Sequence, residues 1–195
     1  VIEGASNGIN IAAAAFKFDT ITNTSGGVIK ALGGSEAILV GAGSTGGTIL
    51  NAGTITSSTG VGVGFAGGTG LVFTNSGTVN GNGTAVINIT GALSAALTNS
   101  GTMTGANNVV GIKTSAAYTG NITNSGTITT TNSDVIQLGS TLTGNLTNSG
   151  TLTTATGKGI NIQGAVTGAV SNSGTVSVTG NGGAAVQIAA NISET

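Results

Sequence analysis

The sequence predicts an all-β fold, a parallel β-helix (β-solenoid) of about eight coils, with about 24 residues and three short strands in each coil. Three observations predict it. An eight-residue motif returns at a nearly fixed interval, short runs rich in β-branched residues fill that interval, and proline is absent. We expect one β-solenoid over 1–195, with degenerate coils over 1–50 and regular 24-residue repeats over 51–195.

The motif reads LTNSGTLT at 146–153, and close copies stand at 97–104, 122–129 and 170–177. Asn23, in a related stretch, resembles a degenerate early copy. A fixed period of this size indicates a solenoid, because each unit can bury its apolar face only against its neighbours. The motif asparagine recurs every 24 or 25 residues, at Asn51, Asn75, Asn99, Asn124, Asn148 and Asn172.

Between the motifs lie short apolar stretches such as VIQL at 135–138 and GINI at 159–162, separated by corners that contain Gly and Asn. Aliphatic residues also recur every fourth position, as at Leu138, Leu142 and Leu146, which a helix could explain. Strand is favoured because the intervening Gly, Ser, Thr and Asn are poor helix formers and the aliphatic residues are largely β-branched. Each coil is therefore expected to hold three strands.

The unusual composition is consistent with stacked coils. Proline would remove an N–H from an internal strand, and the chain has none. Glycine, at 37 residues, suits corners that need close backbone approach or positive φ. Charged residues make up 5% of the chain, where about 25% is usual. A charge repeated in every coil would form a column of like charges about 4.8 Å apart.

The motif asparagine is expected to face the interior. If the motif runs as one strand, period-two alternation turns its leucines, asparagine and glycine inward and its threonines and serine outward. Stacked asparagines can hydrogen-bond amide to amide along the axis, which satisfies a buried polar group by repeating it. We predict a structural asparagine ladder that contains Asn75, Asn99, Asn124, Asn148 and Asn172.

The outward threonines form a candidate surface-binding face, spaced about 6.6 to 6.8 Å along a strand and about 4.8 Å between coils. Such an array resembles the ice-binding face of β-solenoid antifreeze proteins. The alternative is a plain solvated face, since Thr is a good neutral strand residue, and a bend at Asn-Ser-Gly would spoil its flatness. The candidate face comprises Thr102, Thr104, Thr127, Thr129, Thr151 and Thr153.

No catalytic residue is predicted. Glu36 and Asp134 precede similar apolar runs but stand about four coils apart, nearly 20 Å, whereas paired glycosidase carboxylates need roughly 5 to 10 Å. The chain has no histidine for a general base and no cysteine for a nucleophile. We therefore expect a protein that is not an enzyme.

Cofactors, metals and nucleic acid are not expected partners. GAGSTG at 41–46 and GVGFAG at 62–67 fit G-x-G-x-x-G, but neither opens a helix in a βαβ unit. Calcium-binding glycine repeats need regular aspartates, and the chain has only Asp19 and Asp134. A net charge of −1 gives no basic surface for nucleic acid. No apolar run is long enough for a membrane-spanning helix, so membrane insertion is not expected either.

The two ends of the stack are the candidate interface for self-association. Val1 precedes Ile9 by eight residues, as Leu152 precedes Ile160, so the chain is expected to enter in mid-coil. It stops one step before the next member of the four-residue spacing, where Val1 of a following copy would fit. The chain is part of a longer solenoid, or copies stack head to tail into a filament, and the two can both be true. The candidate end-to-end residues are Val1, Ile9, Ile11, Ile188, Ile192 and Thr195.

The repeats at 97–104, 122–129 and 146–153 resemble the degenerate NSGTI repeats of the β-helical passenger region of bacterial autotransporters and related surface proteins. The resemblance covers 51–195 well and 1–50 loosely. It implies export, presentation at or beyond the outer membrane, and a role as scaffold, adhesin or fibre that could contact host or abiotic surfaces. No catalytic residue is carried over.

Overall fold

The computed structural model describes residues 1–11 and 16–193, and it confirms the predicted parallel β-helix. Within those ranges every regular element is a strand, and all strand pairings are parallel between successive coils. The strands form about eight coils, each of which contributes to three sheets in the order A, B, C.

Sheets A and B each contain eight strands. Sheet A consists of β1 (Ile2–Gly4), β4 (Val28–Ala31), β7 (Thr54–Ser57), β10 (Thr78–Gly81), β13 (Thr102–Gly105), β17 (Thr127–Thr129), β21 (Thr151–Thr154) and β25 (Thr175–Val178). Sheet B consists of β2 (Ile9–Ile11), β5 (Ile38–Val40), β8 (Val63–Phe65), β11 (Ala85–Ile89), β14 (Val110–Thr114), β18 (Ile136–Leu138), β22 (Ile160–Ile162) and β26 (Val186–Ile188).

Sheet C contains 11 strands because its long strands divide into two short ones from the fifth coil onward. The undivided strands are β3 (Thr20–Asn23), β6 (Ser44–Asn51), β9 (Gly68–Asn75) and β12 (Leu93–Asn99). The later coils contribute β15 (Tyr118–Thr119), β16 (Ile122–Asn124), β19 (Leu142–Thr143), β20 (Leu146–Asn148), β23 (Val166–Thr167), β24 (Val170–Asn172) and β27 (Ile192–Ser193).

The core lies between the three sheets and consists of aliphatic columns that run parallel to the axis. One column of sheet A passes from Met103 to Ile128 and Leu152, which pair in register and are fully buried. Burying each such side chain contributes roughly 1.5 to 3 kcal/mol. Because period-two alternation fixes which residues face inward, a one-residue slip in any coil would expose its whole apolar set.

The single 25-residue interval has a local cause. Nine residues separate the inward positions of Met103 and Ile112, against eight between Ile128 and Ile136 in the next coil. The extra residue lies in the corner 106–109, where Asn108 has a φ of 61°. The strands on either side of that corner keep their register, so the irregularity stays at the surface.

The motif does not run as one strand, which corrects the expectation from the sequence. β20 ends at Asn148 and β21 begins at Thr151, so Ser149 and Gly150 form a corner between sheets C and A. Both corner N–H groups donate to the carbonyl of Asn124 in the coil below, at 2.8 and 3.2 Å. The Asn148 side chain also donates to the Gly150 carbonyl at 3.3 Å, which holds the bend.

Candidate functional surfaces

An unbroken asparagine ladder occupies this corner along the stack. In each step the Nδ2 of one asparagine donates to the Oδ1 of the next, at 2.7 or 2.8 Å. Asn75, Asn99, Asn124 and Asn148 have no solvent-exposed surface, whereas Asn172 in the last step is exposed. The ladder runs through Asn23, Asn51, Asn75, Asn99, Asn124, Asn148 and Asn172.

The ladder has a direction, because every amide donates toward the C-terminal end. From Asn51 onward, each Nδ2 also donates to the carbonyl of the corner glycine two residues on, as Asn124 does to Gly126 at 3.2 Å. The corner needs glycine. A Cβ on Gly126 would lie 2.1 Å from the Gly101 carbonyl oxygen, and one on Gly150 would lie 2.0 Å from the oxygen of Gly126. An asparagine followed two residues later by glycine is thus a packing requirement of the corners from Asn51 to Asn172.

The predicted threonine face lies on the outer side of sheet A, in two columns. Thr102, Thr127 and Thr151 pair in register in one column, and Thr104, Thr129 and Thr153 pair in the other. The two columns also contain Thr54, Thr56, Thr78, Asn80, Thr175 and Ser177.

The side chains of this face are accessible to solvent. Elsewhere, Thr130 and Thr154 use their hydroxyls to donate to backbone carbonyls. The six candidate threonines make no such bond within the part of the chain that the structure describes, and all six are partly or fully exposed. At the N-terminal end the face begins with an ion pair between Lys30 and Glu3, 3.4 Å apart. From Thr54 onward it carries no charge.

The C-terminal end exposes apolar side chains that are buried in the preceding coils. Ile188 is 56% exposed, although Ile162, which pairs with it one coil below, is 0% exposed. Ile192 is 37% exposed above the buried Val166. Val186 is likewise 44% exposed. Two of the candidate end-to-end residues, Ile188 and Ile192, therefore face the open end.

At the N-terminal end the candidate residues differ in their exposure to solvent. Val1 is 90% exposed and Ile9 is partly exposed, but Ile11 is only 6% exposed and is not available to a partner, which corrects its inclusion in the interface. The Ile11 side chain belongs to the hydrophobic core. Its strand, β2, is the first strand of sheet B and, within the described residues, pairs only with β5. Phe18, which is partly buried, also packs against this core. Thr195 lies outside the described residues.

Val1 does not occupy the position that the sequence spacing predicted. Ile2, not Val1, pairs with Ile29 and begins the inward column that contains Leu152. The reason is the A-to-B corner of the first coil. Seven residues separate Ile2 from Ile9, against eight between Leu152 and Ile160, the pair that the sequence spacing used.

The two carboxylates compared in the sequence analysis remain separate. Glu36 precedes β5 in the second coil and Asp134 precedes β18 in the sixth. Asp134 is 7% exposed and accepts hydrogen bonds from the Lys158 backbone N–H at 2.9 Å and the Asn161 amide at 2.6 Å. These donors stabilise the corner ahead of β18, a polar contact that the sequence analysis did not identify.

A shallow groove of about 400 Å³ crosses sheet C where the long strands end. Its lining includes Val72, Ala95, Ala96 and Gly120, and no charged residue contributes to it. Beneath it, the hydroxyl of Tyr118 donates to the Ala95 carbonyl at 2.9 Å, and burial raises the pKa of this tyrosine. The described residues contain no helix that is long and apolar enough to cross a membrane.

Comparison with protein-family models, with curated proteins and with solved structures finds no match for this chain.

Proposed function

We propose that this protein is a structural, extracellular β-solenoid of bacterial origin that builds or extends a surface filament by head-to-tail stacking of copies. The solenoid scaffold itself is given by the fold. Secretion and the surface location rest on the resemblance of its NSGT repeats to autotransporter passenger regions. Stacking of copies rests on the two ends of the molecule.

The exposed last coil carries the proposal. Ile188 and Val186 are about half exposed, at positions that every coil below covers with another coil. At the opposite end, Ile2 is 50% exposed while Ile29, its neighbour in the same column, is 2% exposed. Apolar residues and free strand edges at both ends favour a heterologous contact that does not close, and such contacts build filaments.

Electron microscopy of the purified protein over a concentration series tests stacking. We expect filaments with an axial repeat of about 38 Å, from eight coils about 4.8 Å apart, plus one junction. Ile188→Lys should abolish them, because it places an unpaired charge in the contact. The double variant Thr127→Lys and Thr151→Lys alters only the side of the rod and should leave filaments intact. Short single rods at every concentration would contradict the proposal.

A second candidate function is an adhesive or ice-binding role for the threonine face. The observation that favours it is the uncharged double column of sheet A, whose hydroxyls have no protein partner in the described residues. Regular hydroxyls and methyl groups at this spacing could order water or contact a repetitive host or mineral surface.

Thermal hysteresis and surface adsorption test this second function. An ice-binding face should give thermal hysteresis that the double variant Thr127→Lys and Thr151→Lys removes. An adhesin should lose adsorption to its surface with the same variant and show no hysteresis. Equal behaviour of the variant and the parent in both assays would leave a solvated face without a binding role.

A further inference from the structure

We propose that Asn181 is a site of spontaneous covalent modification, at which the side-chain amide is lost and an aspartate or an isoaspartate takes its place. The chain carries glycine directly after asparagine at four places, after Asn7, Asn80, Asn82 and Asn181. The fold holds three of these asparagines and leaves the fourth able to react. The inference goes beyond the proposed function and does not rest on it.

The reaction needs only the chain itself and water. The backbone nitrogen of Gly182 attacks the side-chain carbonyl carbon of Asn181, so that a C–N bond forms and the bond to the amide nitrogen breaks. Ammonia leaves and takes with it the proton of the attacking N–H. Water then opens the resulting succinimide ring at one of its carbonyls, which gives an α-linked aspartate or a β-linked isoaspartate. Glycine favours the attack because no side chain crowds its nitrogen.

This chemistry sets two requirements. The asparagine side chain must be able to turn toward the next backbone nitrogen, and the N–H of the glycine must not be held in a hydrogen bond. Asn7 fails the first requirement, because its Nδ2 donates to the backbone carbonyl of Glu36 at 3.0 Å and to the Glu36 carboxylate at 3.3 Å. Asn80 and Gly81 lie within β10, which pairs with a strand of the coil on either side.

Asn82 fails both requirements. Its Nδ2 donates to the Ser57 carbonyl at 2.9 Å. The N–H groups of Asn82 and Gly83 both donate to the carbonyl of Gly60, at 2.9 and 2.8 Å. Both acceptors belong to the coil below. Hydrogen bonds to that coil therefore protect Asn82, although its side chain is exposed.

Asn181 stands in the same corner four coils higher and in the same tripeptide, Gly-Asn-Gly. Its corner is two residues longer. Ten residues separate the inward positions of Val176 and Val186, against eight between Val79 and Ile87. The added length must leave the path that the corner of Asn82 follows.

Backbone contacts show where the added length lies. The N–H of Gly180 donates to the Ala155 carbonyl in the coil below, at 2.6 Å. A Cβ on Gly183 would lie 2.3 Å from the carbonyl oxygen of Gly157 in the same coil. The chain therefore leaves the stack between these two glycines, and the residues in between are 181 and 182.

Asn181 meets both requirements. Neither Asn181 nor Gly182 makes a hydrogen bond with any residue of 1–11 or 16–193. A Cβ on Gly182 would have no atom within 4 Å, and the φ of 89° at this residue favours glycine. Solvent exposure does not distinguish Asn181 from Asn82, since both are exposed. The difference lies in hydrogen bonds to the coil below, which Asn82 makes and Asn181 does not.

The modification should change the surface and leave the fold intact. Because Asn181 and Gly182 have no hydrogen-bond partner in the described ranges, a β-linked backbone at this point breaks no contact of the stack. The new carboxylate lies within 159–193, a stretch that has no charged residue, and adds one negative charge to a formal net charge of −1.

Peptide mapping by mass spectrometry tests the proposal on the intact protein, incubated at mildly alkaline pH. Cleavage after lysine places Asn181 in the peptide 159–195 and both Asn80 and Asn82 in the peptide 31–113. We expect Asn181 to lose its amide at least about tenfold faster than Asn82, because Asn82 reacts only after the corner opens locally. An isoaspartyl methyltransferase should label the peptide 159–195.

Unfolding supplies the matched control. In urea the two Gly-Asn-Gly sites should react at similar rates, since the coil below no longer holds Asn82. Asn181→Gln should remove the fast site and leave the urea unfolding curve unchanged, because glutamine would have to close a larger ring. Similar rates at Asn82 and Asn181 in the native protein would overturn the assignment. So would an unchanged Asn181 over a period in which the unfolded chain is converted.

Discussion

Asn99 donates its Nδ2 to the Oδ1 of Asn124 at 2.7 Å, although 25 residues separate them where 24 separate the neighbouring pairs. The ladder therefore crosses this longer coil without a change in hydrogen-bond length. The extra residue is absorbed in the corner 106–109, away from the ladder. The stacking of Asn-Ser-Gly corners, and not a constant coil length, sets the register of the solenoid.

Asn124→Ala should strongly destabilise the protein. The substitution removes both ladder bonds of Asn124. It leaves one N–H of the Asn99 amide without its acceptor and the buried Asn148 oxygen without its donor. Each unpaired buried group costs about 1–3 kcal/mol, so we expect a loss of roughly 2–5 kcal/mol in the free energy of unfolding, measured in urea. Asn172→Ala is the matched control, because Asn172 is exposed and makes one ladder bond. Equal losses in the two variants would contradict the role of burial.

Gly126→Ala should prevent close stacking of two coils. Its Cβ would lie 2.1 Å from the Gly101 carbonyl oxygen, so the backbone must move. We expect a loss of at least about 2 kcal/mol in the free energy of unfolding, together with faster amide exchange in the adjoining corners. Gly34→Ala is the control, since its nearest atom is the Thr59 hydroxyl at 3.8 Å. A tolerated Gly126→Ala would show that the corner can widen.

Thr114→Val should stabilise the protein by about 1 kcal/mol. Thr114 is 1% exposed, in a column otherwise filled by residues such as Ile89 and Leu138. Its hydroxyl has no hydrogen-bond partner among residues 1–11 and 16–193. Valine has the same shape without the polar group.

The matched variant is Thr154→Val. The Thr154 hydroxyl bonds the carbonyls of Ser133 at 2.9 Å and Thr131 at 3.2 Å, so this change should destabilise by about 1–2 kcal/mol. Thermal unfolding of both variants measures the two effects. The same sign for both would refute the distinction between a satisfied and an unsatisfied hydroxyl.

Tyr118 should make stability fall at high pH. Burial raises its pKa well above the usual value of about 10, so the folded state keeps the proton that the unfolded state releases. The contribution is complete below about pH 10 and is lost above it, by about 1.4 kcal/mol per pH unit, until the folded pKa is reached.

The chain contains one tyrosine, so absorbance of tyrosinate reports on this group alone. In the native protein ionisation should appear only far above pH 10 or together with unfolding. Tyr118→Phe should remove this share of the pH dependence and cost about 1 kcal/mol at neutral pH, because the bond to the Ala95 carbonyl is lost. Ordinary ionisation near pH 10 without unfolding would contradict the burial argument.

Much of the fold could be predicted because the sequence repeats. The repeat interval can be read directly from the sequence. The strand content and the inward orientation of the asparagines follow from the alternation of side chains and from the absence of proline. All of these are local or periodic properties of the sequence. The bend at Ser149 and Gly150 could not be predicted from alternation, which describes equally a straight strand and a strand that turns at a corner. The signal for a bend was the glycine that follows the motif asparagine by two residues. It is Gly150 in this repeat, and it recurs in every regular repeat.

The candidate surfaces were predictable to different degrees. The threonines of sheet A could be chosen from spacing, and the structure places all six on one sheet in two columns. Spacing could not predict which residues are exposed at the two ends of the solenoid. Ile11 and Ile188 occupy equivalent positions of the pattern, yet one is 6% and the other 56% exposed. Exposure at an end depends on what packs there in three dimensions.

The sequence by itself determined the coil length, the strand class and the identity of the ladder, because a repeat of 24 residues must present the same side chain at the same place in every coil. Only the tertiary structure decided where the chain bends and which way the ladder points. Those properties depend on hydrogen bonds and contacts between coils, such as the approach of Gly150 to the carbonyl of Gly126, which no single repeat contains.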